Sequence, residues 1–157
     1  MWYYSEQDVI MIPDNVIGFV YIITNKTNNR KYIGKKLATF TKTYIRMVTL
    51  KSGVKKKKKI KRHVESDWRD YYGSCVELLN DVTILGKDKF HREIIQYCYS
   101  KGELSYTEAK LQFKHEVLLN DEYYNGIINC KIHKKHIKKR GFLDETIQCD
   151  TREQDSV

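Results

Sequence analysis

The chain predicts an α+β fold: a small three-stranded antiparallel sheet flanked by helices, with a lysine-rich loop inserted into it. Three features carry that prediction. Residues 18–24 (GFVYIIT) and 31–34 (KYIG) are β-branched and aromatic runs separated by a polar, Asn-rich stretch, the pattern of a β-hairpin. Residues 90–98 (FHREIIQYC) alternate in the manner of a third strand. After Ser105, Tyr106, Ala109, Phe113 and Val117 recur at helical spacing.

Each element has a local cause. Pro13, Asp14 and Asn15 form a turn signal, and the first strand starts near Gly18. Asn25, Asn28 and Asn29 tolerate left-handed backbone angles, so the chain can reverse there and return through Tyr32 and Gly34. Residues 51–63 (KSGVKKKKKIKRH) hold seven lysines and one arginine in thirteen positions, too self-repelling to enter a core, and predict a mobile loop. Residues 66–73 (SDWRDYYG) supply aromatic mass, and Ser74 can cap a helix carrying Val76, Leu78 and Leu79 that stops at Gly86. For residues 90–98 a strand fits, with a short helix as the alternative that periodicity leaves open. Ser105 and Glu108 have the form of a capping box opening a helix of about three turns. Residues 131–140 are strongly basic and residues 144–157 mainly acidic, so 133–157 reads as a flexible tail.

Composition narrows the function. The 157 residues, 41% hydrophobic, provide for one core and not for two ordinary domains. Lysine and arginine number 29 against 20 acidic residues, a formal charge of +9 with a pI near 9.3, which favours a polyanionic partner. No apolar run approaches the roughly 18 residues of a membrane span, and the first fifteen residues have no basic start followed by an apolar stretch. A cytoplasmic protein without a membrane partner is expected. Cys75, Cys98, Cys130 and Cys149 lie far apart with no CxxC pair and read as reduced thiols; Cys130 and His133 have ligand-like spacing but lack a second pair.

The pair of hairpin arms, with Tyr21 on one and Tyr32-Ile33-Gly34 on the other, together with the Asn-rich turn and the downstream Glu108 and Asn125, resembles the GIY-YIG nuclease family. The resemblance covers residues 16–132 as the nuclease domain, with 51–63 as an insertion. It implies a metal-dependent endonuclease that hydrolyses phosphodiester bonds in DNA, of a homing-type or phage-encoded kind, with restriction-type and structure-specific repair nucleases as alternatives.

Phosphodiester hydrolysis needs a nucleophilic water, a group that takes its proton, and positive charge for the pentacovalent phosphate. By resemblance, Tyr21 stands near the attacking water as a candidate general base, Tyr32 helps place water or phosphate, and Glu108 is the metal ligand. One carboxylate can hold a hard divalent ion that keeps most of its waters, Mg2+ by default or Mn2+. The same Glu108 has a structural role open to it in the capping box. Asn125 supports the site by hydrogen bonds, or is an ordinary turn residue.

A phenol titrates near 10, so Tyr21 acts as a base near neutrality only beside a cation. Lys35 and Lys36, directly after YIG, and Arg46, on the helix that the resemblance implies next, are the candidate suppliers. The family pattern of an arginine followed four residues later by His or Tyr is broken here, since Arg46 is followed by Leu50, and Arg69 with Tyr72 has a spacing of three. Lys55, Lys56, Lys57, Lys58, Lys59, Lys61 and Arg62, with Lys134 and Lys135, are the expected phosphate contacts. A reading from another class is a non-catalytic basic nucleic-acid-binding module in which Tyr21, Tyr32, Trp68 and Tyr71 stack on bases or fill the core. Monomer and homodimer both remain open.

Overall fold

The computed structural model describes residues 1–137, and its main sheet begins well before Val16. Trp2–Tyr4 forms β1 and Gln7–Asp8 forms β2, paired antiparallel across a turn in which Ser5 and Glu6 take positive φ. β3 (Gly18–Asn25) and β4 (Lys31–Leu37) make the expected hairpin, with Tyr21 opposite Gly34. β5 (Thr39–Thr49) and β6 (Lys55–Glu65) follow, then α1 (Val76–Leu85), β7 (Phe90–Cys98) and α2 (Lys101–Lys114).

The sheet has five strands in the order β2-β1-β7-β3-β4, with β1 parallel to β7 and the other pairs antiparallel. The expected three strands, β7, β3 and β4, form one end of it, with β4 at the edge. β1 escapes sequence reading because three residues carry no periodicity, yet it brings in Trp2, which is buried. The Trp2 indole N–H donates to the Trp68 carbonyl at 2.7 Å, and its ring meets Phe19 and Tyr21 edge-on at 5.3 Å each.

Alternation along β3 explains the two cores. Phe19, Tyr21 and Ile23 face one side, where Trp2, Trp68, Tyr72 and α1 through Leu78 and Val82 cover them. Val20 faces the other side with Ile33 and Cys98, under Leu104 of α2, Val117 and Tyr123. Burial holds the Cys98 thiol up at about 12, so it is an inert core group.

Two expectations are corrected here. The lysine-rich run is not a loop, and Arg46 is not on a helix: Thr39–Thr49 and Lys55–Glu65 pair in register from Thr39↔Glu65 to Thr49↔Lys55 as a separate two-stranded sheet. Successive lysines point to opposite faces, and most stand across from uncharged residues: Lys55 from Thr49, Lys56 from Val48, Lys57 from Met47, Lys59 from Ile45. Repulsion is thereby spread out. The partner strand, rich in Thr, Tyr, Ile and Val, supplies the β propensity that its neighbour lacks.

The second correction concerns α2. It begins five residues before the expected box, capped by the Ser100 hydroxyl, which accepts from the Glu103 N–H at 3.1 Å, while the Glu103 carboxylate accepts from the Tyr99 N–H at 2.8 Å. Ser105 and Glu108 therefore lie inside the helix. Tyr106 and Phe113 are exposed, whereas Leu104, Thr107, Ala109 and Gln112 form the buried face. The part of the expected tail beyond residue 137 lies outside the described residues.

Candidate active site

β4 is the outer strand of the sheet, so side chains from both faces meet along it. Tyr32 and Lys36 point to the face of Tyr21, and Lys35 points to the face covered by α2. A cleft of about 580 Å³ opens beside the strand, lined among others by Tyr32, Lys35, Ser74, Glu108, Gln112 and Asn125.

Glu108 comes to the cleft from α2 and pairs with Lys35, Oε2 to Nζ at 2.8 Å; the same ammonium donates to the Ser105 hydroxyl at 3.1 Å. The Glu108 side chain is 14% exposed, and it has left the capping role to Glu103. The carboxylate is thus held at the cleft by Lys35 and takes no part in the helix cap. Among the described residues no group of three or more His, Cys, Asp or Glu side chains converges on one point. A hard divalent ion held by Glu108 alone fits this donor set if it keeps most of its waters, and the cleft has room for them. Lys35 already marks the carboxylate as a place where positive charge settles.

The two tyrosines are placed differently. Tyr21 is fully buried, and its hydroxyl lies over Gly34, where an added Cβ would sit 2.5 Å from that oxygen. The glycine of YIG is needed because the Tyr21 ring occupies the space of any side chain there. Burial above all, then the neighbouring Tyr71 and Tyr32, a hydrogen bond with Tyr71 and the charge of Glu108, hold the Tyr21 phenol well above its ordinary range. The cation expected beside it does not reverse this: Lys36 sits 3.6 Å over the Tyr71 ring and is tied to Asp67 at 2.7 Å. These surroundings favour the neutral form of the Tyr21 phenol.

Tyr32 lines the cleft, 6.2 Å from the Tyr21 ring centre, with its hydroxyl 3.2 Å from the Ser74 hydroxyl. Its phenol is also raised, mainly by burial, with the Ser74 hydrogen bond working against the shift. Asn125 is buried and uses its whole amide on one residue of β4: it accepts from the Ile33 N–H at 2.9 Å and donates to the Ile33 carbonyl at 2.8 Å. Gln112 donates to the same carbonyl at 3.0 Å. Just upstream the Lys31 N–H donates to the Glu122 carbonyl at 2.7 Å, and the Tyr124 N–H to the Lys31 carbonyl at 2.8 Å.

Of the residues singled out from sequence, Tyr32, Lys35, Glu108 and Asn125 meet at the cleft, with Tyr21 and Lys36 packed behind. Arg46 is elsewhere, on β5 opposite Lys58. Arg69 is committed to Glu65 at 3.1 Å and to the Ile10 carbonyl at 2.6 Å. Lys134 and Lys135 lie in an exposed 3-10 turn.

Sequence reading missed Ser74 as the Tyr32 partner, Gln112, and Arg92. The Arg92 guanidinium is buried between Trp2 and Tyr72 and donates to the Arg69 and Tyr71 carbonyls at 2.9 Å each, fixing the aromatic segment over Tyr21. Only the Tyr-Tyr-Gly-Ser string before α1 hinted at the first of these.

Residues 2–128 match the family model described as "Putative endonuclease segE, GIY-YIG domain". No curated protein and no solved structure matches the chain.

Proposed function

The chain belongs to the GIY-YIG endonuclease family, and from that premise we propose that it is a divalent-metal-dependent DNA endonuclease, hydrolysing phosphodiester bonds, of a homing or phage-encoded kind. The observation that carries the reading is the meeting of Tyr32, Lys35 and Glu108 on one cleft beside β4. The basic β5–β6 arm supports the homing or phage format, because it adds affinity for DNA within the nuclease module itself.

Hydrolysis bonds a water oxygen to phosphorus and breaks one P–O ester bond, the departing oxygen leaving as an alcohol. A divalent cation such as Mg2+, held by Glu108, supplies Lewis-acid stabilisation of the phosphate when bound. Lys35, on the cleft at 2.8 Å from that carboxylate, brings a further positive charge to the phosphate. The Tyr32 hydroxyl, oriented by Ser74, donates or accepts at the cleft wall and positions the water or a phosphate oxygen. Tyr21 positions rather than titrates: it fills the space over Gly34 and fixes the ring of Tyr32. Asn125 holds the Ile33 peptide, between Tyr32 and Gly34, at the strand's margin.

The test is nicking of supercoiled plasmid DNA with Mg2+, comparing the unaltered chain with Glu108→Ala and Tyr32→Phe. Both variants should cut far more slowly, and a chelator should abolish cutting. No cutting by the unaltered chain, or cutting by the variants at its rate, defeats the reading; tight DNA binding without any cutting favours the non-catalytic module instead.

A further inference from the structure

The arm formed by β5 and β6 is the largest feature that cleavage chemistry does not use. From Thr39 to Glu65 it carries ten lysines and arginines against a single acidic residue, Glu65. Nearly every residue of both strands is exposed, so neither face is spent on the core.

The register sorts its side chains. Residues directly opposite in an antiparallel pair share a face. One face thus presents Lys42 with Arg62, Tyr44 with Ile60, and Arg46 with Lys58, cationic pairs on either side of an apolar one. The other carries the threonines of β5 opposite His63, Lys61 and Lys55. Both arginines of the arm fall on the first face, and Arg62 lies 5.8 Å from the Tyr44 ring centre.

We propose that the arm is a β-ribbon that lies in the major groove of duplex DNA, with the Arg46 and Arg62 face toward the base edges. This rests on the endonuclease reading for its class of partner. The fit is geometric as well as electrostatic. Eleven residues per strand at roughly 3.3 Å each give about 36 Å, close to the roughly 34–36 Å of one helical turn. Two paired strands enter a groove about 12 Å wide, whereas the deep, narrow major groove of an RNA duplex excludes them. Arginine is the side chain that pairs bidentately with guanine O6 and N7, and the apolar Tyr44–Ile60 pair suits thymine methyl groups. The lysines of β6 crowd one edge of the ribbon, beside the phosphates of one wall, and Lys42 of β5 stands on the other edge.

A solvated arm that binds by charge alone predicts something different, and the experiment separates the two. The full chain is mixed in EDTA, without cutting, with a randomised 40-base-pair duplex DNA pool, and bound sequences are selected. On a selected duplex, guanine N7 protection from dimethyl sulfate is then mapped. Expected are a base preference, N7 protection spread over about one helical turn, and at least tenfold weaker binding to an RNA duplex of the same sequence. Arg46→Lys keeps the charge and should leave the salt dependence in place while relaxing the preference by about 10- to 100-fold at one position.

Selection of no preference, absence of N7 protection, equal binding to the RNA duplex, or retention of preference in Arg46→Lys overturns the proposal. Plasmid nicking by the unaltered chain decides the nuclease reading separately. Cutting without N7 protection removes the groove-bound arm alone, and protection without cutting removes the nuclease alone.

Discussion

The sheet and the arm sit next to each other in the chain and are specified in opposite ways. Around Tyr21 the positions are set by packing: a buried ring over a glycine, an indole edge-on, a guanidinium donating to two carbonyls. Along β5 and β6 they are set by cross-strand pairing and little else. Alterations to the first region should disturb structure and chemistry together, while those to the second should change binding and leave the fold alone.

The largest expected effect tests the one sheet-side residue that breaks this rule. Glu108→Ala should lower plasmid cleavage by about 100- to 1000-fold, as loss of a transition-state electrostatic partner does, with an almost unchanged urea midpoint, because Glu108 is neither a cap nor a core residue. A large drop in the midpoint would instead make the Lys35–Glu108 pair structural.

Next, alanine at Lys55, Lys56, Lys57, Lys58 and Lys59 together should flatten the slope of log affinity against log salt by up to about 4 to 5, at roughly 0.9 per phosphate contact. Stability should stay within about 0.5 kcal/mol. An unchanged slope would remove those lysines from the DNA interface.

On the packed side, Gly34→Ala forces a Cβ against the Tyr21 hydroxyl and should destabilise by about 1–3 kcal/mol in denaturant titrations. Asn125→Ala leaves the buried Ile33 N–H without its partner and the Ile33 carbonyl with Gln112 alone, and should cost about 1–3 kcal/mol. If both variants prove as stable as the original, the contrast between packed site and free arm collapses.

The smallest effect lies in pH. The Tyr21 phenol is raised in the folded state, so the unfolded chain releases this proton first as pH rises. Its contribution to stability is complete below about 10, the ordinary tyrosine value, and is lost as pH climbs through the folded value. Phenolate absorbance in Tyr21→Phe should lack the last-titrating component of the original protein, and cleavage between about pH 6 and 9 should show no step from Tyr21. A step near neutrality that vanishes in Tyr21→Phe would restore that residue as the base.

Much of the sheet was readable from the residues, because strands buried on one or both faces write their period into the sequence. β3, β4, β7 and α1 stand where alternation and the Gly86 stop put them, but Ser74 is not the cap: Cys75 holds that position without a side-chain hydrogen bond, and the Ser74 hydroxyl turns to Tyr32. What failed did so for physical reasons. Two Ser-x-x-Glu strings follow one another at the start of α2, and only the earlier one, Ser100 with Glu103, makes the capping hydrogen bonds. The lysine-rich strand lacks intrinsic propensity and takes its structure from pairing with the preceding strand, β5, which its own composition does not announce. At the site, Tyr32, Glu108 and Asn125 were legible through motif and spacing, but the burial that separates Tyr21 from Tyr32 depends on Trp2, Tyr71 and Arg92, contacts that no local pattern encodes.

The amide of Asn125 has a consequence beyond the cleft. A sheet that stops at β4 would ordinarily offer a row of unsatisfied peptide groups to any other extended chain, the usual opening for edge-to-edge aggregation. Here Lys31 is paired with Glu122 and Tyr124, and Ile33 is satisfied by Asn125 and Gln112, so a passing strand finds those amides taken. The 122–125 segment acts as a selvedge. It finishes the fabric with one backbone stretch and one side chain, and leaves the margin irregular enough to hold a cleft where another strand would have been flat.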